Sequence, residues 1–196
     1  MSCTEQLLVA LDEHERVALL RVARASILHG LANDRPLELE ITQMTGRLGE
    51  HRASFVSVYH RAQLRGCVGN LAATRALAND VARNAYLAAS QDRRFEPLTD
   101  TELSATAIEV AVLSAPEPIP FESEADLHRR LVPCEDGVIL TDNNSGRATF
   151  LPKVWEKLPH PEDFIRELKC KAGLPADYWS ESLRFARYRT ISFSDT

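Results

Sequence analysis

Cys67 is the residue in this chain whose type and surroundings point most directly to chemistry. It lies in Leu64-Arg65-Gly66-Cys67-Val68-Gly69. Side chains of an extended strand alternate between faces, so Arg65, Cys67 and Gly69 are expected on one side and Leu64, Gly66 and Val68 on the other. A guanidinium beside a thiol favours the thiolate and makes it a better nucleophile. The helix expected after this strand could add the positive end of its dipole. Gly66 and Gly69 leave room for a ligand or a second backbone to come close. The same residues also describe a packed strand, because free cysteine is among the most buried residue types. Sequence chemistry leaves both readings open.

Glu109 is the second unusual residue, set between Ile108 and Val110 in an apolar run. A carboxylate there needs a partner or solvent, since an unpaired buried charge costs several kcal/mol. Arg65 on a neighbouring strand is the candidate partner. Asp92, Arg93 and Arg94 form a charged loop in which Arg94 is a candidate anion ligand; the alternative is a solvated helix exit with its own ion pairs. His60 is the histidine nearest Cys67 in sequence, and the cross-strand register decides whether the two pair. None of the six histidines falls into HExxH or another metal spacing, and no phosphate-binding glycine loop or nucleophile-elbow motif occurs. The expectation is no metal site.

Those residues need a scaffold, and the composition supplies one. The chain has 196 residues, 44% apolar and 26% charged, which suits one globular domain with a real core. The net charge of -5 argues against general nucleic-acid binding and against a membrane-surface role. No signal peptide is visible, and no apolar run reaches the roughly 20 residues of a bilayer span, so a soluble cytoplasmic protein is expected. Cys3, Cys67, Cys134 and Cys170 are far apart with no CxxC pair, as reduced thiols would be.

Periodicity predicts a helix from residue 4 to about 31, closed by Asn33-Asp34-Arg35-Pro36, then a polar loop over 37–50. A hairpin follows, 55–60 with 64–69, and then a helix to about Ser90 with Asn70 and Thr74 as candidate N-caps. Residues 105–114 read as a strand, 116–120 as a proline-stiffened connector, and 124–131 as a short helix. Residues 137–141 and 147–151 read as a hairpin turned by Asn143-Asn144-Ser145-Gly146. Residues 161–172 are a helix stopped by Gly173, and 183–193 one long closing strand whose arginines protect a sheet edge. Strands arriving mostly as hairpins predict an α+β fold, a mainly antiparallel sheet with flanking helices.

The Leu64–Gly69 segment resembles the LRGCIG signature of the AMMECR domain family, with Val68 in place of Ile. Further segments match in family order: Asp92-Arg93-Arg94-Phe95-Glu96-Pro97-Leu98 is similar to its DxRFxPL, and Ile108–Ser114 to its IEVSVLS. Ala148–Val154 resembles its LP-x-V stretch, and Lys171-Ala172-Gly173-Leu174-Pro175 with Trp179 its KAGLP…W. The resemblance runs over roughly residues 20–194 and makes 1–196 a single domain of this type. It implies two lobes sharing one core, with Arg65, Gly66, Cys67 and Gly69 lining a functional cleft. Through the bacterial and archaeal AmmeMemoRadiSam system proteins it also implies association with a Memo-type and a radical S-adenosylmethionine protein. It names no reaction and no cofactor, and this chain has no clustered cysteines to hold an iron–sulfur cluster.

Two functions follow. One is a binding module for a small anionic ligand or a protein partner, built on Arg65, Gly66, Cys67, Gly69, Glu109 and Arg94. The other is an enzyme, or enzyme component, using Cys67 as nucleophile or redox thiol, with Arg65 and Glu109 in support. A motif without a base, metal or cofactor signature favours the first.

Overall fold

A computed structural model describes residues 11–40, 46–142 and 146–195. Helix α1 spans Glu13–Asn33; Asp12 caps it, accepting from the Glu15 amide while the Glu15 carboxylate accepts from the Asp12 amide. The expected start at residue 4 and the turn residues Asn143, Asn144 and Ser145 lie outside the described residues. Strands β1 (Ser54–His60) and β2 (Gln63–Gly69) form the expected hairpin. Helix α2 is Leu77–Ser90, α3 a single turn at Asp100–Leu103, and β3 Thr106–Leu113. Then come β4 (Glu117–Pro118), α4 (Glu124–Arg130), β5 (Gly137–Asp142), β6 (Gly146–Phe150), α5 (Pro161–Lys171), β7 (Leu183–Tyr188) and β8 (Thr190–Ser194).

The strands make two four-stranded sheets, ordered β2-β1-β3-β8 and β4-β7-β5-β6. Helices and antiparallel pairings together are the expected α+β class. The chain divides into two compact units, Met1–Leu113 with Ile191–Thr196, and Ser114–Thr190. The shared core of the expectation thereby resolves into one cluster per unit. In the first, Leu19, Ala23 and Ile27 of α1 and Leu77, Val81 and Ala85 of α2 pack with Val56, Val58, Ile108, Val110 and Val112 of the sheet. In the second, Trp155, Phe164, Ile165 and Leu168 pack with Val138, Leu140, Leu183 and Phe185.

Three expectations change. The closing strand is not one strand: β7 and β8 are separated at Arg189 and join different sheets, because the two units each need a strand there. The 116–120 connector contains a two-residue strand, since Glu117 and Pro118 pair with Arg187 and Ala186. The arginines of β7 are not edge guards, as β7 lies between β4 and β5; Arg187 instead meets the buried Asp136 carboxylate at 3.2 Å.

Candidate functional site

The hairpin of β1 and β2 is fastened to α2 at both ends. Near its open end, the buried Asp80 carboxylate accepts from the Ser54 amide at 2.9 Å, the Ser54 hydroxyl at 2.7 Å and Asn84 Nδ2 at 3.0 Å on one oxygen, and from Asn70 Nδ2 at 2.8 Å on the other. Asn70 is therefore a tie to α2 rather than its N-cap; that place falls to Ala76, with no side-chain cap. At the other end, Gly66 lies on the last turn of α2. A Cβ at Gly66 would stand 1.8 Å from the Ala88 carbonyl oxygen, so only glycine allows this approach. The helix thus brings its carbonyl-rich C-terminal turn, and not its positive N-terminus, to the Cys67 segment.

A bulge between Val58 and Tyr59 resets the register. Val58 faces Gly66 while Tyr59 faces Leu64, leaving Arg65 as the extra residue on β2. The strict alternation expected for Arg65 and Cys67 is interrupted at Arg65, which a bulge re-aims. Arg65 Nη2 donates to Glu102 Oε1 at 3.2 Å. Glu102 also accepts from the Thr99 amide and hydroxyl, and those bonds, ahead of Arg65, hold its carboxyl below the ordinary range. Glu109 is not on the strand next to Arg65, because β1 lies between β2 and β3.

Cys67 faces Ser57 on β1, and Ser57 faces Glu109 on β3. A thiol, a hydroxyl and a carboxylate therefore form one row across three strands. His60 is opposite Gln63, so it is not the cross-strand neighbour of Cys67. The main chain of Cys67 points away from β1. Its amide donates to Asp92 Oδ2 at 2.9 Å, and its carbonyl accepts from Arg94 Nη2 at 3.1 Å. Cys67 and Ser57 are thus a non-hydrogen-bonded pair, the kind whose Cα atoms come to about 4.5 Å and whose side chains are closest.

Asp92 and Arg94 act as a clip on the outer edge of β2. Arg94 Nε and Nη2 donate to Asp92 at 2.9 and 2.6 Å. The Arg94 hydrogen bond, aided by the Cys67 and Arg94 amides, holds the Asp92 carboxyl far below the ordinary carboxylate range. Arg94 is raised in turn, chiefly by its bond to Asp92. Its side chain stays 61% exposed.

The structure therefore brings Arg65, Gly66, Cys67, Gly69 and Arg94 to one edge of the sheet and sets Glu109 two strands inward. Ser57, Asp80 and Glu102 are additions, and Asp92, expected only as part of a charged loop, is the acceptor for the Cys67 amide. Asp80 and Asn84 are not among the expected site residues, and their signal is two polar residues four apart beside the apolar stripe of α2; the partners of Ser57 and Glu102 depend on register and carry no local signal. Among the described residues, no helix is long and apolar enough to cross a membrane, and no cluster of three or more His, Cys, Asp and Glu side chains is arranged to hold a metal ion.

The AMMECR1 family model matches residues 20–193. A protein of Thermofilum pendens is 31% identical, over 95% of this chain and 92% of its own length. A protein of Saccharolobus solfataricus is 32% identical, over 95% and 84%. The crystal structure of an uncharacterized protein from Pyrococcus horikoshii superposes with a TM-score of 0.80 at 28% identity, covering 90% of this chain and 89% of that one. With a family match across most of its length and relatives over 30% identical, the chain belongs to the AMMECR1 family.

Proposed function

We propose that this chain is a binding module whose small ligand lies along the Cys67–Ser57 pair, with an anionic group met by Arg65 and Arg94. The observation that carries the reading is the double fastening of Cys67 by Asp92 and Arg94. It fixes the main chain, so the thiol and the Ser57 hydroxyl beside it are presented in one arrangement before any ligand arrives. The neighbour of the thiol is a hydroxyl rather than an imidazole, which suits recognition better than proton transfer. Inorganic phosphate serves as the probe of the anionic group. A saturable rise in melting temperature is expected for the wild type and for Cys67→Ala, and its loss in Arg65→Ala. No rise in the wild type, or an equal rise in Arg65→Ala, overturns the reading.

One observation favours an enzymatic use of Cys67: the Arg94 guanidinium is held at the Cys67 residue itself, donating to its carbonyl at 3.1 Å. The support expected from Arg65 and Glu109 is replaced in that reading by Arg94. Iodoacetamide alkylation followed against pH decides it. A reactive fraction that saturates well below the free-thiol range near about 8.5 supports a nucleophile, and ordinary thiol behaviour sinks it.

A further inference from the structure

The second unit carries a fixed, exposed indole beside two carboxylates. Trp179 keeps 37% of its surface exposed. Phe121 meets it edge-on at 5.5 Å, Phe185 stacks on it at 6.4 Å, and Lys169 Nζ lies 5.6 Å from its ring centre. Lys169 is itself buried and bonded to Glu124 at 2.5 Å, so the support under the indole is rigid. Ordered aromatic side chains left in water are common centres of binding energy.

A cavity of about 380 Å³ opens here, with Phe121, Glu122, Trp179, Glu181, Leu183 and Arg184 in its wall. Cofactor and drug-sized ligands occupy roughly 300–1,000 Å³, so this volume is small for them and ample for one long side chain. Among the described residues, neither the Glu122 nor the Glu181 carboxylate has an ion pair or hydrogen bond. The cation in the wall, Arg184, is turned onto main chain: its Nη1 donates to the Glu181 carbonyl at 2.6 Å and the Leu183 carbonyl at 2.8 Å. Arg184 thus spends this nitrogen on main chain, and the two carboxylates remain unmatched.

We propose that this cavity binds an arginine side chain presented by a partner protein. A planar guanidinium packs its weakly hydrated plane on exposed aromatic surface and donates in plane to carboxylates, which suits the exposed part of the Trp179 indole in one wall with Glu122 and Glu181. A lysine ammonium has the charge without the plane and is the weaker fit. The site lies wholly within the second unit and is independent of the Cys67 reading.

Tryptophan fluorescence of the full chain tests it, because Trp155 is 1% exposed and stacked on Phe164, leaving Trp179 to respond to added solute. The probes are acetylated, amidated pentapeptides with Arg, Lys or Glu between glycines, together with free argininamide. A saturable response is expected for the arginine peptide, weaker for lysine and absent for glutamate. The Glu122→Gln/Glu181→Gln double variant alters two exposed side chains and is expected to keep the far-ultraviolet circular dichroism and lose at least tenfold in affinity. No saturable response, an equal response to the glutamate peptide, or unchanged affinity in the double variant overturns the proposal. Argininamide binding as tightly as the peptide overturns the assignment to a protein partner.

Discussion

Asp92 holds the Cys67 amide at 2.9 Å on the open edge of β2, in the place where a further strand would otherwise pair. Arg94 completes the mimicry at the Cys67 carbonyl. Two side chains of a short loop thus satisfy an edge that would otherwise be open to pairing with another chain.

Asp92→Ala removes the acceptor and releases Arg94. A charged hydrogen-bonding group of this kind is worth about 2 kcal/mol. The expected result is a loss of that order in urea unfolding, with faster alkylation of Cys67 as its strand loosens. Unchanged alkylation would show that the clip does not govern the thiol.

The same carboxylate gives a pH signature. The Asp92 carboxyl sits well below its ordinary value of 3.8 in the folded protein. The unfolded chain therefore binds its proton first as pH falls, and the stabilisation is complete above about pH 4 and lost on further acidification. The stability difference between wild type and Asp92→Asn is expected to be constant near neutrality and to shrink below pH 4.

Tyr188 predicts the opposite limb. Burial pushes its hydroxyl up from 10.0 to about 12, and the hydroxyl donates to the Phe150 carbonyl at 3.1 Å. A raised folded value means stability that is complete below pH 10 and lost as pH rises towards 12. Absorbance of ionised tyrosine is expected to report this side chain only together with unfolding, whereas Tyr188→Phe loses that alkaline dependence.

Gly66→Ala places a methyl group against the Ala88 carbonyl oxygen, which belongs to backbone and has no rotamer to yield. Overpacking of this kind costs about 3 kcal/mol or more. Thermal unfolding is expected to show a large fall in melting temperature, and a near-neutral result would mean that α2 shifts freely on the sheet.

Asp80→Ala strips one acceptor from four donors, on Ser54, Asn70 and Asn84. Leaving buried donors unpaired at this junction is expected to lower stability by about 3–5 kcal/mol, read by urea denaturation. Asp80→Asn, which keeps an acceptor oxygen, is expected to lose less.

The sequence by itself determined the local elements and the stretch of chain that carries the site. The β-branched and aromatic run over 55–60, the alternation over 105–114, the helical stripe of α2 and the stop at Gly173 follow from side-chain type, periodicity and backbone freedom, which act within a few residues. Leu64–Gly69 was visible as the place for Arg65 and Cys67 for the same reason. Only the tertiary structure decided which groups meet there. A single bulge moved Arg65 out of alternation and gave it to Glu102, strand order put β1 between Arg65 and Glu109, and register set Ser57 rather than His60 against Cys67. Asp92 and Cys67 are 25 residues apart, and their hydrogen bond exists because β2 is an edge strand whose outward amide needs an acceptor. Register, bulges and edges arise from pairing between distant segments, so nothing within any one segment specifies them.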